Sequence, residues 1–212
     1  MPVDSLFPPV VRAAGAGPGG ADRTWTRIGV APPAGCTGAF DPLLQGVLAP
    51  AGCARLLRAT YLDSTSTSVT TVGLLVTATD AVGMKALSQR WTKESLGNRA
   101  DLVPLPVAVP HTLAAGFGPK QRGSWDVHVS ADLPFVVYAV SGFADGRAVA
   151  TPQSAAQATA PGATSAPAQA GLGNDAAGLA SAVDNRLHGT VSTFLRPTAS
   201  PGASPTATEK SR

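Results

Sequence analysis

Two runs of the chain, CARLLRATYLD at 53–63 and TSVTTVGLLVTAT at 67–79, constrain the fold more than any other feature. Both are rich in β-branched, aromatic and Leu residues, which pack well on a pleated surface, and only the polar Asp-Ser-Thr-Ser stretch of 63–66 separates them. The pattern predicts an antiparallel hairpin.

The flanking segments predict what covers it. In FDPLLQGVLAP, Asp41 is an N-cap candidate, Pro42 suits the first helical position, and Leu43, Leu44, Val47 and Leu48 share one side. DAVGMKALSQRW offers Asp80 as N-cap and keeps Ala81, Met84, Leu87 and Trp91 on one helical face, so a helix packs back on the hairpin. DLVPLPVAVP alternates, but Pro104 and Pro106 cannot donate to a ladder, which makes it an edge strand or an extended segment. WDVHVS places Trp125, Val127 and Val129 on one face and Asp126, His128 and Ser130 on the other. PFVVYAVSG is apolar on both faces and reads as a more central strand, and ADGRAVA offers a last short one. The expected fold is α+β, a mainly antiparallel sheet of four or five strands with helices on one face.

Gly and Pro are abundant, 23 and 19 residues, while charged residues are only 14% of the chain, well below a typical soluble domain. Much of the chain is therefore expected outside the core. Residues 1–22 read as a disordered leader, 23–150 as the α+β domain, and 151–172 as a flexible Ala/Pro/Thr-rich linker. Residues 173–196 follow as an amphipathic helix and 197–212 as a disordered tail. In the helix, Leu179, Val183, Leu187 and Val191 recur at helical spacing, with Asn174 or Asp175 as N-cap. The stripe can dock on the domain or take a protein partner.

The net charge of +3 is scattered singly, as in Arg55, Arg58, Arg90 and Lys93, so no basic patch suggests nucleic acid. No apolar run is long enough for a transmembrane helix, and the N-terminus does not read as a secretory signal. GAGPGG at 15–20 matches a dinucleotide-binding fingerprint in letters, but no strand–turn–helix context surrounds it. The three histidines, 111, 128 and 188, have no nucleophile elbow near them, and no short His or Cys pair offers a metal clamp. No catalytic residue, cofactor or metal is expected. The weak candidate is a polar sheet face carrying Asp126, His128 and Asp132. DSTSTS reads as a turn whose hydroxyls satisfy backbone groups.

Cys36 and Cys53 are the only cysteines and bracket the first helix. Their spacing excludes C-x-x-C redox chemistry, and Pro stands where a lipid-attachment box needs an apolar residue. They read as a disulfide staple, with two buried thiols as the alternative. Such a bridge closes a loop for about 3 kcal/mol and persists outside the cytoplasm.

The run from RTWTRIGVAPPAGC through TVGLLVTATDA (23–81), then SGFADGRAVA and GLGNDAAGLASAV, resembles uncharacterised membrane-anchored or exported proteins of high-GC actinobacteria. In these a soluble extracytoplasmic domain follows one membrane helix, which this sequence does not show. The resemblance implies an extracytoplasmic or membrane-associated location and no known activity. The expected function is thus a non-enzymatic binding or sensing domain at the cell envelope. Alternatives are a small enzyme built around His128, or a truncated product without its anchor.

Overall fold

The computed structural model describes residues 3–195, with side chains through Val191. The elements are α1 (Val3–Leu6), β1 (Val10–Ala13), β2 (Arg23–Val30), α2 (Pro42–Leu48), β3 (Arg55–Asp63), β4 (Ser68–Val76) and α3 (Ala81–Lys93). There follow β5 (Ser124–Val129), β6 (Phe135–Phe143), β7 (Gln153–Ser154), α4 (Ala155–Ala158), α5 (Ala166–Gln169) and α6 (Leu172–Leu195). The strands form one sheet of seven in the order β1-β2-β3-β4-β6-β5-β7. All pairs are antiparallel except β5 with β7.

The predicted hairpin is β3–β4, in register from Arg55 opposite Val76 to Leu62 opposite Val69. Its turn is organised by Asp63, whose carboxylate accepts from the backbone amides of Thr65, Thr67 and Ser68 at 2.8–2.9 Å and from the Thr65 hydroxyl. Burial alone would raise this carboxyl, but those donors hold it below the ordinary carboxylate range. β6 is buried along its whole length beside β4, as its two-sided apolar sequence requires.

Helices cover both faces of the sheet, not one. On the first face α6 presses Ala176, Leu179, Ala180, Val183 and Leu187 onto Trp25, Tyr61, Val72, Leu74 and Val137. On the second face α2 and α3 bring Leu44, Met84, Leu87 and Trp91 against Leu56, Leu75, Val136 and Tyr138. The reason is visible in the strands. β4 and β6 are apolar on both sides, so each side needs a layer, and one helix cannot supply two. Asp80 caps α3, accepting from the Gly83 amide at 2.9 Å. The missing Cβ of Gly73 makes room for the Tyr138 ring, since a Cβ there would lie 2.3 Å from it. Gly178 likewise admits the Trp25 ring under α6.

Two segments depart from the sequence reading, the sheet has seven strands rather than the expected four or five, and ADGRAVA forms no strand. The expected leader supplies α1 and the edge strand β1, because Leu6, Phe7 and Val11 have apolar surface that the first face buries. The expected linker contains β7 and two short helices capped by Ser154 and Ser165. DLVPLPVAVP is extended but joins no ladder. It crosses the second face, where the Val107 amide donates to the Thr71 hydroxyl and the Val107 carbonyl accepts from Thr60, each at 2.9 Å. The expected tail of 197–212 lies outside the described residues.

Candidate functional site

Of the three sequence candidates, the structure brings two together. Asp126 and His128 sit two residues apart on β5, so period two puts both side chains on the face that α6 covers. Their nearest atoms, Oδ2 and Nε2, are 3.1 Å apart. Asp184 of α6 reaches the other ring nitrogen, Nδ1, at 3.6 Å, and His188 one helical turn on lies 3.9 Å from Asp184 and edge-on to Phe135. The Asp126 hydrogen bond raises the His128 pKa, burial opposes it, and the charges of Asp126 and Asp184 add to the rise. Asp132 stands apart and accepts from Ser130 at 3.0 Å.

This cluster is poorly placed for catalysis. A general base needs one ring nitrogen turned to the group it deprotonates, and in His128 both nitrogens face carboxylates. Its geometry instead fastens the second half of α6 to β5. No group of three His, Cys, Asp or Glu among the described residues is arranged to hold a metal ion. GAGPGG lies in the turn between β1 and β2, with Gly15, Gly19 and Gly20 at positive φ and no dinucleotide-binding unit around it. No helix of the described residues is long and apolar enough to cross a membrane.

The opposite end of α6 holds a group whose sequence signal was read only as an N-cap. Asp175 is fully buried and accepts from Arg23, from the Trp25 indole at 2.9 Å and from Ser68 at 2.5 Å. Burial raises this carboxyl despite those donors. Strands β2 and β4 are thereby tied to the start of α6.

Cys36 and Cys53 are bonded, with Cα atoms 6.1 Å apart. The staple closes the loop around α2 and holds its incoming strand against β3, where Ala34 and Leu56 exchange backbone hydrogen bonds at 2.8 and 3.2 Å.

Just beyond that strap lies an apolar pocket of about 350 Å³. Its floor is Leu57, Leu74 and Val76 on the first face, and its walls are Leu6 and Phe7 of the N-terminal segment and Leu187 of α6. The N-terminal wall is pinned in three places. Arg27 pairs with Asp4 at 2.8 Å and donates to the Phe7 carbonyl, and the Tyr61 hydroxyl donates to the Pro8 carbonyl at 3.0 Å. Val3 and Val30, also in the lining, are exposed by 44% and 41%. Arg55, directly across from Val76, completes it, whereas the Arg58 side chain projects to the second face, where its charge acts on Tyr138. None of the lining residues is acidic, and among the described residues neither arginine has an ion-pair partner. By contrast, a hollow of about 490 Å³ beside α5 has its one cation, Arg147, already engaged by Asp145 and stacked on Phe143.

The sequence reading missed this pocket because its walls come from the expected leader and from α6. Its one legible sign was Arg55 two residues before Leu57, hence on the same side of the strand. Comparison of the chain with protein-family models, with curated proteins and with solved structures finds no match.

Proposed function

We propose that this chain is a non-enzymatic binding domain that works outside the cytoplasm, at the cell envelope, and that its ligand enters the apolar pocket beside β3. The observation that carries the reading is the pocket itself. It is concave, lined by apolar side chains and supplied with a small number of charged groups, which is the usual anatomy of a small-molecule site. The disulfide supports the location, since such bonds persist in oxidising compartments, and so does the resemblance to exported actinobacterial proteins. The occupied ring nitrogens of His128 weigh against the enzymatic alternative.

The reading is tested with an apolar naphthylamine dye whose fluorescence rises on leaving water. The full chain should bind it saturably at one site. Val30→Glu and Val3→Glu, both at exposed positions, should weaken that binding without lowering the melting temperature, while His128→Ala should leave it unchanged. Absence of saturable binding to the wild-type chain would rule the pocket out as a ligand site. Fractionation of cells carrying the tagged chain tests the location, and recovery of reduced protein from the cytoplasm alone would contradict it.

A further inference from the structure

We infer that the pocket takes a single-chain amphiphile with an anionic head, a carboxylate or a phosphate monoester, its tail lying on Leu57, Leu74 and Leu187 and its head meeting Arg55. The inference rests on the reading of the pocket as the binding site and adds the chemistry of the occupant.

The tail follows from the lining. Leu57 and Leu74 face each other across the β3–β4 ladder and are followed on the same face by the opposed pair Arg55 and Val76. The floor therefore runs from buried apolar surface to an exposed guanidinium over two residues of strand, about 7 Å. Leu187 closes it from α6, and Leu6 and Phe7 from the N-terminal segment, so a flexible alkyl chain would lose water on several sides.

The head follows from charge. Arg55 lines the pocket with no carboxylate among the lining residues, and Arg186, next to Leu187, is close enough that its charge acts on the Tyr61 phenol at the same core. Arg27, the other cation acting on Tyr61, is already held by Asp4 and the Phe7 carbonyl. An ammonium head would meet like charge. A neutral head would leave the guanidiniums without the planar two-oxygen partner that suits them best, which carboxylate and phosphate supply.

Titration calorimetry on the full disulfide-bonded chain separates the possibilities, using decanoate, decyl phosphate, decanol and decyltrimethylammonium. Decanoate and decyl phosphate should bind roughly tenfold or more tightly than decanol, the scale of one good charge-assisted contact. The ammonium compound should bind least. Arg55→Gln should bring both anions to the level of decanol and leave decanol itself unchanged, while Arg58→Gln, whose side chain lies on the other face, should leave all of them unchanged. The tighter of the two anions identifies a carboxylate or a phosphate head. Equal binding of decanol and decanoate, or anion binding indifferent to Arg55→Gln, would overturn the inference while leaving the pocket reading intact. Failure of all four compounds to bind would overturn both. A dimer in sedimentation that decanoate does not dissociate, with Val30→Glu making it a monomer, would assign the patch to a second copy instead.

Discussion

The two halves of α6 are fastened to the same sheet by carboxylates in opposite circumstances. Asp175, near its start, has no exposed surface and is surrounded by Arg23, Trp25 and Ser68. Asp184, two and a half turns later, is partly exposed and meets two histidines, at 3.6 and 3.9 Å. Burial sets what each contact does. The first cannot be broken without leaving desolvated partners behind, while the second can exchange its partners for water. One end of α6 is therefore a fixed anchor, and the other, the end that carries Leu187 into the pocket, is held by a contact that responds to pH.

The largest expected effect tests the fixed end. Asp175→Ala should cost about 3–5 kcal/mol in chemical denaturation, because the Arg23 guanidinium and the Trp25 and Ser68 donors lose their acceptor. Asp184→Ala should cost about 1 kcal/mol or less. Equal costs would break the contrast. Between these falls the staple. Replacing Cys36 and Cys53 together by Ser should cost about 3 kcal/mol by freeing the unfolded loop, and should weaken dye binding by loosening the strap beside the pocket.

A smaller effect sharpens the responsive end. The folded pKa of His128 is raised, so its stabilising contribution is complete below about pH 6.5, the ordinary histidine value, and fades as pH rises through the folded value. The wild-type denaturation midpoint should decline over that interval, and His128→Asn should flatten the decline. NMR titration of the imidazole should give a pKa above the ordinary value, and a depressed one would contradict the account. The smallest effect is a control away from α6: Glu94→Gln removes an exposed pair with Arg90 on α3 and should cost about 0.3–0.5 kcal/mol.

The same difference in burial explains what could be read in advance. The β3–β4 hairpin, the central character of β6, the start of α2 and the Asp80 cap of α3 were legible because each depends on local pattern, although the Asp41 carboxylate at the start of α2 pairs with Arg122 instead of capping. The buried stripe of Met84, Leu87 and Trp91 followed from periodicity alone. The pairing of Cys36 with Cys53 followed from their number and their isolation in the sequence. The leader was misread because Pro8, Pro9 and the glycines of 15–20 look like disorder, whereas Leu6, Phe7 and Val11 order the segment through partners far along the chain. The one-sided helix layer failed for a similar reason, since two-sided strands show that both faces need cover without showing what covers each. At the candidate face, the alternation of WDVHVS placed Asp126 and His128 together. Nothing local could show that Asp184 would close over them or that Asp132 would point elsewhere. The pocket, assembled from α1, β3, β4 and α6, was out of reach for the same cause.

The proposal stands or falls on whether the apolar pocket at Leu57, Leu74 and Leu187 takes a ligand. Methyl NMR of the full chain during titration with decanoate tests it most directly. Saturable shifts are expected at the Leu6, Leu57, Leu74, Val76 and Leu187 methyls, with Val47 and Leu87 on the other face unmoved. Shifts centred on that other face, or no saturable shifts at all, would contradict it.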